Sequence, residues 1–210
     1  VCCGALHAHD GDLEFARKLA RKNVSAFERV AEGPIVVNSA GCGAAMKEYG
    51  DLLAGDREFA GRARAFAARV KDVSEVLAEA GSAPGVLRAS VASQDACHLA
   101  HAQRIREQPR GLLRSIDGCQ LIETAGADLC CGAAGIYSLV QPEMSAKLRA
   151  RKAEQFRQAR PDIVATANPG CQMQYEAAVH EAGIGARVMH VGGVLDEAQA
   201  AAERSGLNPG

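Results

Sequence analysis

Apolar residues recur at helical spacing twice in this chain, each time shortly after a pair of adjacent cysteines. Leu13, Ala16, Leu19, Ala20, Val24 and Phe27 form one such stripe, with Asp12 placed to cap it. Met144, Leu148, Ala153 and Phe156 form the other, with Pro142 suited to a first helical turn. Each helix gives way to a short β-branched run, Ile35–Val37 or Ile163–Val164, then to a Gly-Cys turn and another helix. Elsewhere the pattern predicts a long amphipathic helix from Glu58 to Ala80, a linker over Gly81–Gly85 and a strand over Val86–Val91. It also predicts a helix opening at Cys97, a strand over Leu121–Thr124, a strand near Val188–Met189 and a last helix over Val194–Arg204. Strands alternating with helices imply an α/β fold with a mostly parallel sheet.

The two stripes belong to an internal repeat. Cys2-Cys3-Gly4 returns as Cys130-Cys131-Gly132, and the strand ending before Cys42 returns before Cys171, 129 residues later. Two vicinal pairs, each followed by a third cysteine at nearly equal distance, predict two pseudo-repeated domains, residues 1–84 and 85–210. The chain opens inside a motif, and its first half lacks a counterpart of residues 86–129, so the first domain is expected to be truncated at its N-terminus.

Composition narrows the function classes. A net charge of −1 gives no electrostatic footprint for nucleic acid, and 4% aromatic content with no Trp gives no base-stacking platform. No run of 18 apolar residues appears, and no basic region leads into an apolar one, so neither a transmembrane segment nor a signal peptide is expected. No glycine-rich loop follows a strand in the way a flavin or nicotinamide site requires, and Gly192-Gly193 matches no phosphate fingerprint.

The eight cysteines are then the candidate chemistry. A disulfide framework is disfavoured: adjacent Cα atoms lie about 3.8 Å apart, too close for an ordinary disulfide, so each vicinal pair would need two outside partners. Cys42, Cys97 and Cys171 fall where a strand runs into a helix, and a helix N-terminus favours the thiolate, the metal-binding form. Along an extended strand Cys130 and Cys131 would point to opposite faces, so Gly132 must supply a sharp turn for both to reach one site. Small buried cysteines filling space are the competing reading. The second half offers four thiolates, Cys97, Cys130, Cys131 and Cys171; the first offers Cys2, Cys3 and Cys42. All-thiolate sets suit zinc or an iron–sulfur cluster, and the adjacent-plus-distant spacing fits the larger object better than one ion.

Several strings carry a resemblance. Cys-Cys-Gly-Ala-Leu-His-Ala-His, Asn-Ser-Ala-Gly-Cys-Gly-Ala-Ala-Met-Lys-Glu-Tyr-Gly, Asp-Ala-Cys-His-Leu-Ala-His-Ala-Gln, Leu-Cys-Cys-Gly-Ala-Ala-Gly-Ile-Tyr and Ala-Asn-Pro-Gly-Cys-Gln-Met-Gln resemble the C-terminal part of glycolate oxidase (glycolate dehydrogenase) iron–sulfur subunits. The wider cysteine-rich CCG family includes heterodisulfide reductase, lactate-utilisation and anaerobic glycerol-3-phosphate dehydrogenase subunits. The resemblance implies a cytoplasmic electron-transfer subunit, or one peripheral on the inner face of the membrane, with a cluster of the [4Fe–4S] type. Flavin-containing partner subunits would oxidise the 2-hydroxy acid, and a quinone would accept the electrons. The ferredoxin-like region that usually precedes this part of the subunit is not seen. Asp95 stands where relatives often have a further cysteine, and Ala45 and Gln174 stand where other branches complete Cys-x-x-Cys, so no five-cysteine site carries over.

His98 and His101 share roughly one helical face and could act as ligands or as a proton relay; a polar, solvent-exposed helix start is the plainer reading. His7 and His9 present the same choice. Cys119 lies outside the repeat and is expected to be structural, and the arginines from Arg62 to Arg69 read as a solvated face. Two other functions compete with electron transfer: a zinc-stapled docking module and a thiol–disulfide enzyme using the vicinal cysteines directly.

Overall fold

A computed structural model of the chain describes residues 2–30, 32–81 and 85–206. The expected boundary at residue 84 lies outside the described residues. The first half runs α1 (Ala5–His9), α2 (Leu13–Phe27), β1 (Ile35–Val37), α3 (Ala40–Lys47), α4 (Tyr49–Leu52), α5 (Ala60–Arg69), β2 (Val70–Asp72) and α6 (Val73–Glu79). The second runs β3 (Val86–Ser93), a π-helical turn (His98–Ala102), α7 (Glu107–Arg114), β4 (Asp117–Ile122), α8 (Tyr137–Val140) and α9 (Pro142–Ala159). It closes with β5 (Ile163–Thr166), α10 (Pro169–Ala182), β6 (Arg187–His190) and α11 (Val191–Arg204).

Both sheets are parallel and flanked by helices. β1 pairs with β2, Ile35 opposite Val70, and the larger sheet has the order β4-β3-β5-β6. The β1–β2 pair repeats the β5–β6 pair, and in both halves the second strand ends on the cap of the next helix. The Asp72 carboxylate accepts from Ser74 N at 2.9 Å, and His190 Nδ1 accepts from Gly192 N at 3.0 Å.

The long helix expected from Glu58 to Ala80 is instead two helices with a strand between them. Val70 is a buried β-branched residue paired with Ile35, and Asp72 with Glu75 forms a capping box that restarts the helix. The strand expected at Leu121–Thr124 is an edge strand that begins earlier, at Asp117, because its pairing with β3 runs from Val86–Asp117 to Ala92–Ile122. α11 likewise begins three residues before the expected Val194, at the His190 cap.

One core belongs to the first half and is built from Ala20, Val24, Ile35, Tyr49, Phe66 and Val70 among others. Two cores sit on the faces of the larger sheet, one holding Val91, Leu113, Ile163 and Val194, the other Phe156, Val164, Tyr175 and the cysteines 131 and 171. Phe27 and Phe66 pack edge to face at 5.7 Å, as do Phe156 and Tyr175 at 5.5 Å, so each half has an aromatic pair in its interior. The halves meet at their cysteine ends: Ala40 N donates to Ala167 O at 3.0 Å, and Gly41 N donates to Asn168 Oδ1 at 3.1 Å.

Candidate metal centre

The turn after each cysteine pair is the same in both halves. Gly4 and Gly132 adopt φ of 84° and 92°, and their N–H groups donate to Cys2 Sγ and Cys130 Sγ, both at 3.4 Å. A Cβ at Gly132 would meet Ser145 O at 3.0 Å, so both the left-handed backbone and the close approach require glycine. This turn supplies the sharp change of backbone direction expected after each cysteine pair.

Cys42 and Cys171 each occupy the third position of their helix, after the N-cap residues Ser39 and Asn168. Neither cap side chain bonds its own helix backbone. Instead Asn168 Nδ2 reaches Cys171 Sγ at 3.7 Å, and Ser39 bonds Cys42. The thiol of Cys3 donates to Cys42 Sγ at 3.1 Å, and that of Cys131 donates to Cys171 Sγ at 3.0 Å.

In the second half this network extends to all four predicted cysteines. Cys130 is coupled electrostatically to Cys131 on one side and to Cys97, at the start of the π-helical turn, on the other. Cys131 and then Cys97 hold Cys130 well below the ordinary thiol range, and the hydrogen bond from Cys131 lowers Cys171. Interaction with Cys130 and burial raise Cys97 and Cys131. Four sulfurs from three strand ends therefore form one connected set. In the first half the hydrogen bond from Cys3 lowers Cys42 to about 6, and Cys2, the third predicted member, is exposed.

Among the described residues, no three His, Cys, Asp or Glu side chains converge as a single metal ion requires. A cluster asks for something different, thiolates on separate iron atoms. The second set fits such a group in another respect. Tyr175 is 1% exposed, its hydroxyl has no hydrogen-bond partner among the described residues, and burial followed by the charges of all four sulfurs raises its pKa. An orphaned donor beside four sulfurs suits a sulfide-rich anionic group.

The remaining predicted residues separate. His98 is half-buried, with Nδ1 3.8 Å from Cys97 Sγ and its ring 5.4 Å from that of His9, while His101 is exposed against Arg106. The wide π-turn, with Gln103 N bonding His98 O, takes two positions three apart off a common face. His7 packs on Phe15 and lies 3.5 Å from Asp12. Arg62 pairs with Glu28 and Glu58, as a solvated face should. His9, His98, Cys3 and Arg17 line a cleft of about 700 Å³ between the halves.

Sequence reasoning missed Asp95, Asn23 and Lys152. The Asp95 carboxylate accepts from Arg110 at 2.6 Å, a structural role that its place beside Cys97 did not reveal. Asn23 and Lys152 are buried polar residues on the helices that follow the cysteine pairs, and superposing the two repeats would have matched them.

Cys119 lies on β4 opposite Ala89, half-buried against the core of the larger sheet. Cys119→Ala should leave metal content unchanged and cost about 1 kcal/mol, the ordinary effect of one substitution. Metal analysis and a thermal melt check this, and lost metal would show the ligand set to be incomplete.

The cysteine-rich domain family CCG matches residues 1–47 and 91–176. The chain is 39% identical to the probable glycolate oxidase iron-sulfur subunit of Bacillus subtilis, over 94% of this chain and 46% of that protein. It is 32% identical to the glycolate oxidase iron-sulfur subunit of Escherichia coli, over 84% of this chain and 44% of that one. Against a fumarate reductase (CoM/CoB) subunit of Methanothermobacter marburgensis the figures are 31%, 94% and 38%. The chain thus spans about half the length of the first two relatives. With both repeats matched and both CCG turns built alike, this chain belongs to the cysteine-rich CCG domain family.

Proposed function

We propose that the chain is the cluster-bearing part of an electron-transfer subunit of a glycolate (2-hydroxy acid) dehydrogenase. It comprises two cysteine-rich domains, residues 1–84 and 85–210. Cys97, Cys130, Cys131 and Cys171 hold a [4Fe–4S]-type cluster, and Cys2, Cys3 and Cys42 are the metal ligands of the matching first set, which is one thiolate short of a cluster. The connected set of four sulfurs facing the orphaned Tyr175 hydroxyl carries this reading. When bound, the cluster supplies one-electron chemistry. The protein's part is to hold the thiolates, through the cap side chains and CCG turns, and to exclude water around Cys131 and Cys171. Flavin-containing subunits would supply the electrons and a quinone would accept them. The chain would work on the cytoplasmic side, peripheral to the membrane; none of its described helices is long and apolar enough to cross one. The cleft beside Cys3 supports an acceptor approaching between the halves.

A thiol–disulfide reading draws on the sulfur pairs at 3.1 and 3.0 Å. Dye reduction with glycolate separates the two. This chain alone should show no turnover, and turnover should appear when flavin partner subunits are added. Turnover by the chain alone would contradict the assignment. Loss of the reconstituted turnover on thiol alkylation of a cluster-free sample would favour the thiol–disulfide reading.

A further inference from the structure

Asn23 and Lys152 lie 129 residues apart, the same offset that relates Cys42 to Cys171, and each sits on the helix that follows its cysteine pair. Both are buried, at 5% and 1% exposure. Their chemistry differs. Asn23 Nδ2 is a neutral donor that bonds Cys2 O at 3.0 Å and Tyr49 Oη at 2.9 Å, tying down the first CCG turn. Lys152 Nζ donates to Gln94 Oε1 at 2.9 Å, Gly126 O at 2.8 Å and Ala127 O at 3.4 Å, all uncharged acceptors, and lies 5.7 Å from the centre of the Tyr175 ring.

A buried ammonium without an anion nearby is costly. Lys152 lies 5.7 Å from the Tyr175 ring, and Tyr175 shares its core with Cys131 and Cys171, two cysteines of the second set. Burial pulls Lys152 down to about 8 while those sulfurs oppose the fall. The fold therefore sets one buried ammonium near the second thiolate set and a neutral amide at the matching place in the first.

We propose that Lys152 is a positioning residue for the second cysteine set, its buried positive charge favouring the reduced state of the group held there, a bias the first set lacks with Asn23. This rests on the cluster assignment above. The step concerned is the uptake of one electron, delivered by a flavin donor in the complex or by dithionite in a titration. No bond forms or breaks, and the proton stays on Nζ.

The test uses the full-length protein, reconstituted anaerobically with iron and sulfide and titrated with dithionite while the reduced cluster is followed by electron paramagnetic resonance. Lys152→Asn should bind as much iron as wild type, but its reduction equilibrium should move about tenfold against reduction, about 59 mV for one electron. Lys152→Arg, which keeps the charge, should stay near wild type. An unchanged potential in Lys152→Asn with iron retained overturns the proposal. Equal iron loss from both variants also overturns it, since the three hydrogen bonds rather than the charge would then matter. Iron loss from Lys152→Asn alone overturns it as well, since the residue would then be needed to hold the group rather than to bias its reduction. A wild-type protein that takes up no iron would remove the cluster assignment, and this inference with it, a result distinct from an unshifted potential.

Discussion

Replacing Cys130 or Cys131 with Ser should remove most of the bound iron and lower the melting temperature, while the same change at Cys2 or Cys3 should do much less. The second set has four electrostatically coupled sulfurs, and two of them, Cys131 and Cys171, are hydrogen-bonded and buried at 2% and 3% exposure within a core. The first has three, one of them exposed. A four-iron cluster takes four thiolates, so only the second set is complete within this chain. Binding free energy for a site absent from the unfolded chain is also folding free energy, so stability should fall where iron is lost. Iron analysis and thermal melts of the four variants decide the matter. Equal iron loss from both pairs would mean that the halves share one site, where Asn168 already bridges Gly41 and Cys171.

Phe156→Ala should cost about 3–5 kcal/mol. Phe156 is fully buried, packs edge to face on Tyr175, and shares a core with Val164, Cys131 and Cys171. Interiors are close-packed, so the cavity would lie against the walls of the metal centre itself. Denaturant unfolding should show the full loss in the metal-free protein. Iron uptake should weaken as well, because Tyr175 and the cysteine turns lose a common support. Phe66→Ala, in the separate core of the first half, should destabilise without weakening iron uptake at the second set. Equal iron loss from both would mean that the two cores do not act independently.

Much of this arrangement could be read from residue order alone, and the places where it could not share physical causes. Helices α2 and α9 were legible because most of their apolar stripes face cores, although Leu13 and Met144 at the helix starts are exposed, and Asp12 does cap the first, accepting from Phe15 N at 3.1 Å. The repeat made the cysteine grouping legible, since two sites built alike leave the same spacing twice. β2 was hidden because three residues, Val70–Asp72, carry too little pattern to interrupt a helical run, although Asp72 and Glu75 spelled out the cap that restarts it. β4 was misplaced because it is an edge strand with Asp117, Gly118 and Gln120, whose polarity reads as loop. Lys152 was illegible for a different reason. Periodicity assigns a lysine to the solvent face, and only three-dimensional packing shows its ammonium inside, against carbonyls and sulfurs. Asp95 likewise reads as a lost ligand in sequence, yet it anchors the buried Arg110 guanidinium, which also bonds Glu123 at 3.0 Å.

The central claim is that Cys97, Cys130, Cys131 and Cys171 hold an iron–sulfur cluster. Iron, zinc and acid-labile sulfide, measured per chain on anaerobically purified protein, test it most directly. A cluster on the second set predicts a brown sample with iron and sulfide in equal amounts, about four of each. A colourless protein with stoichiometric zinc and no labile sulfide would contradict it.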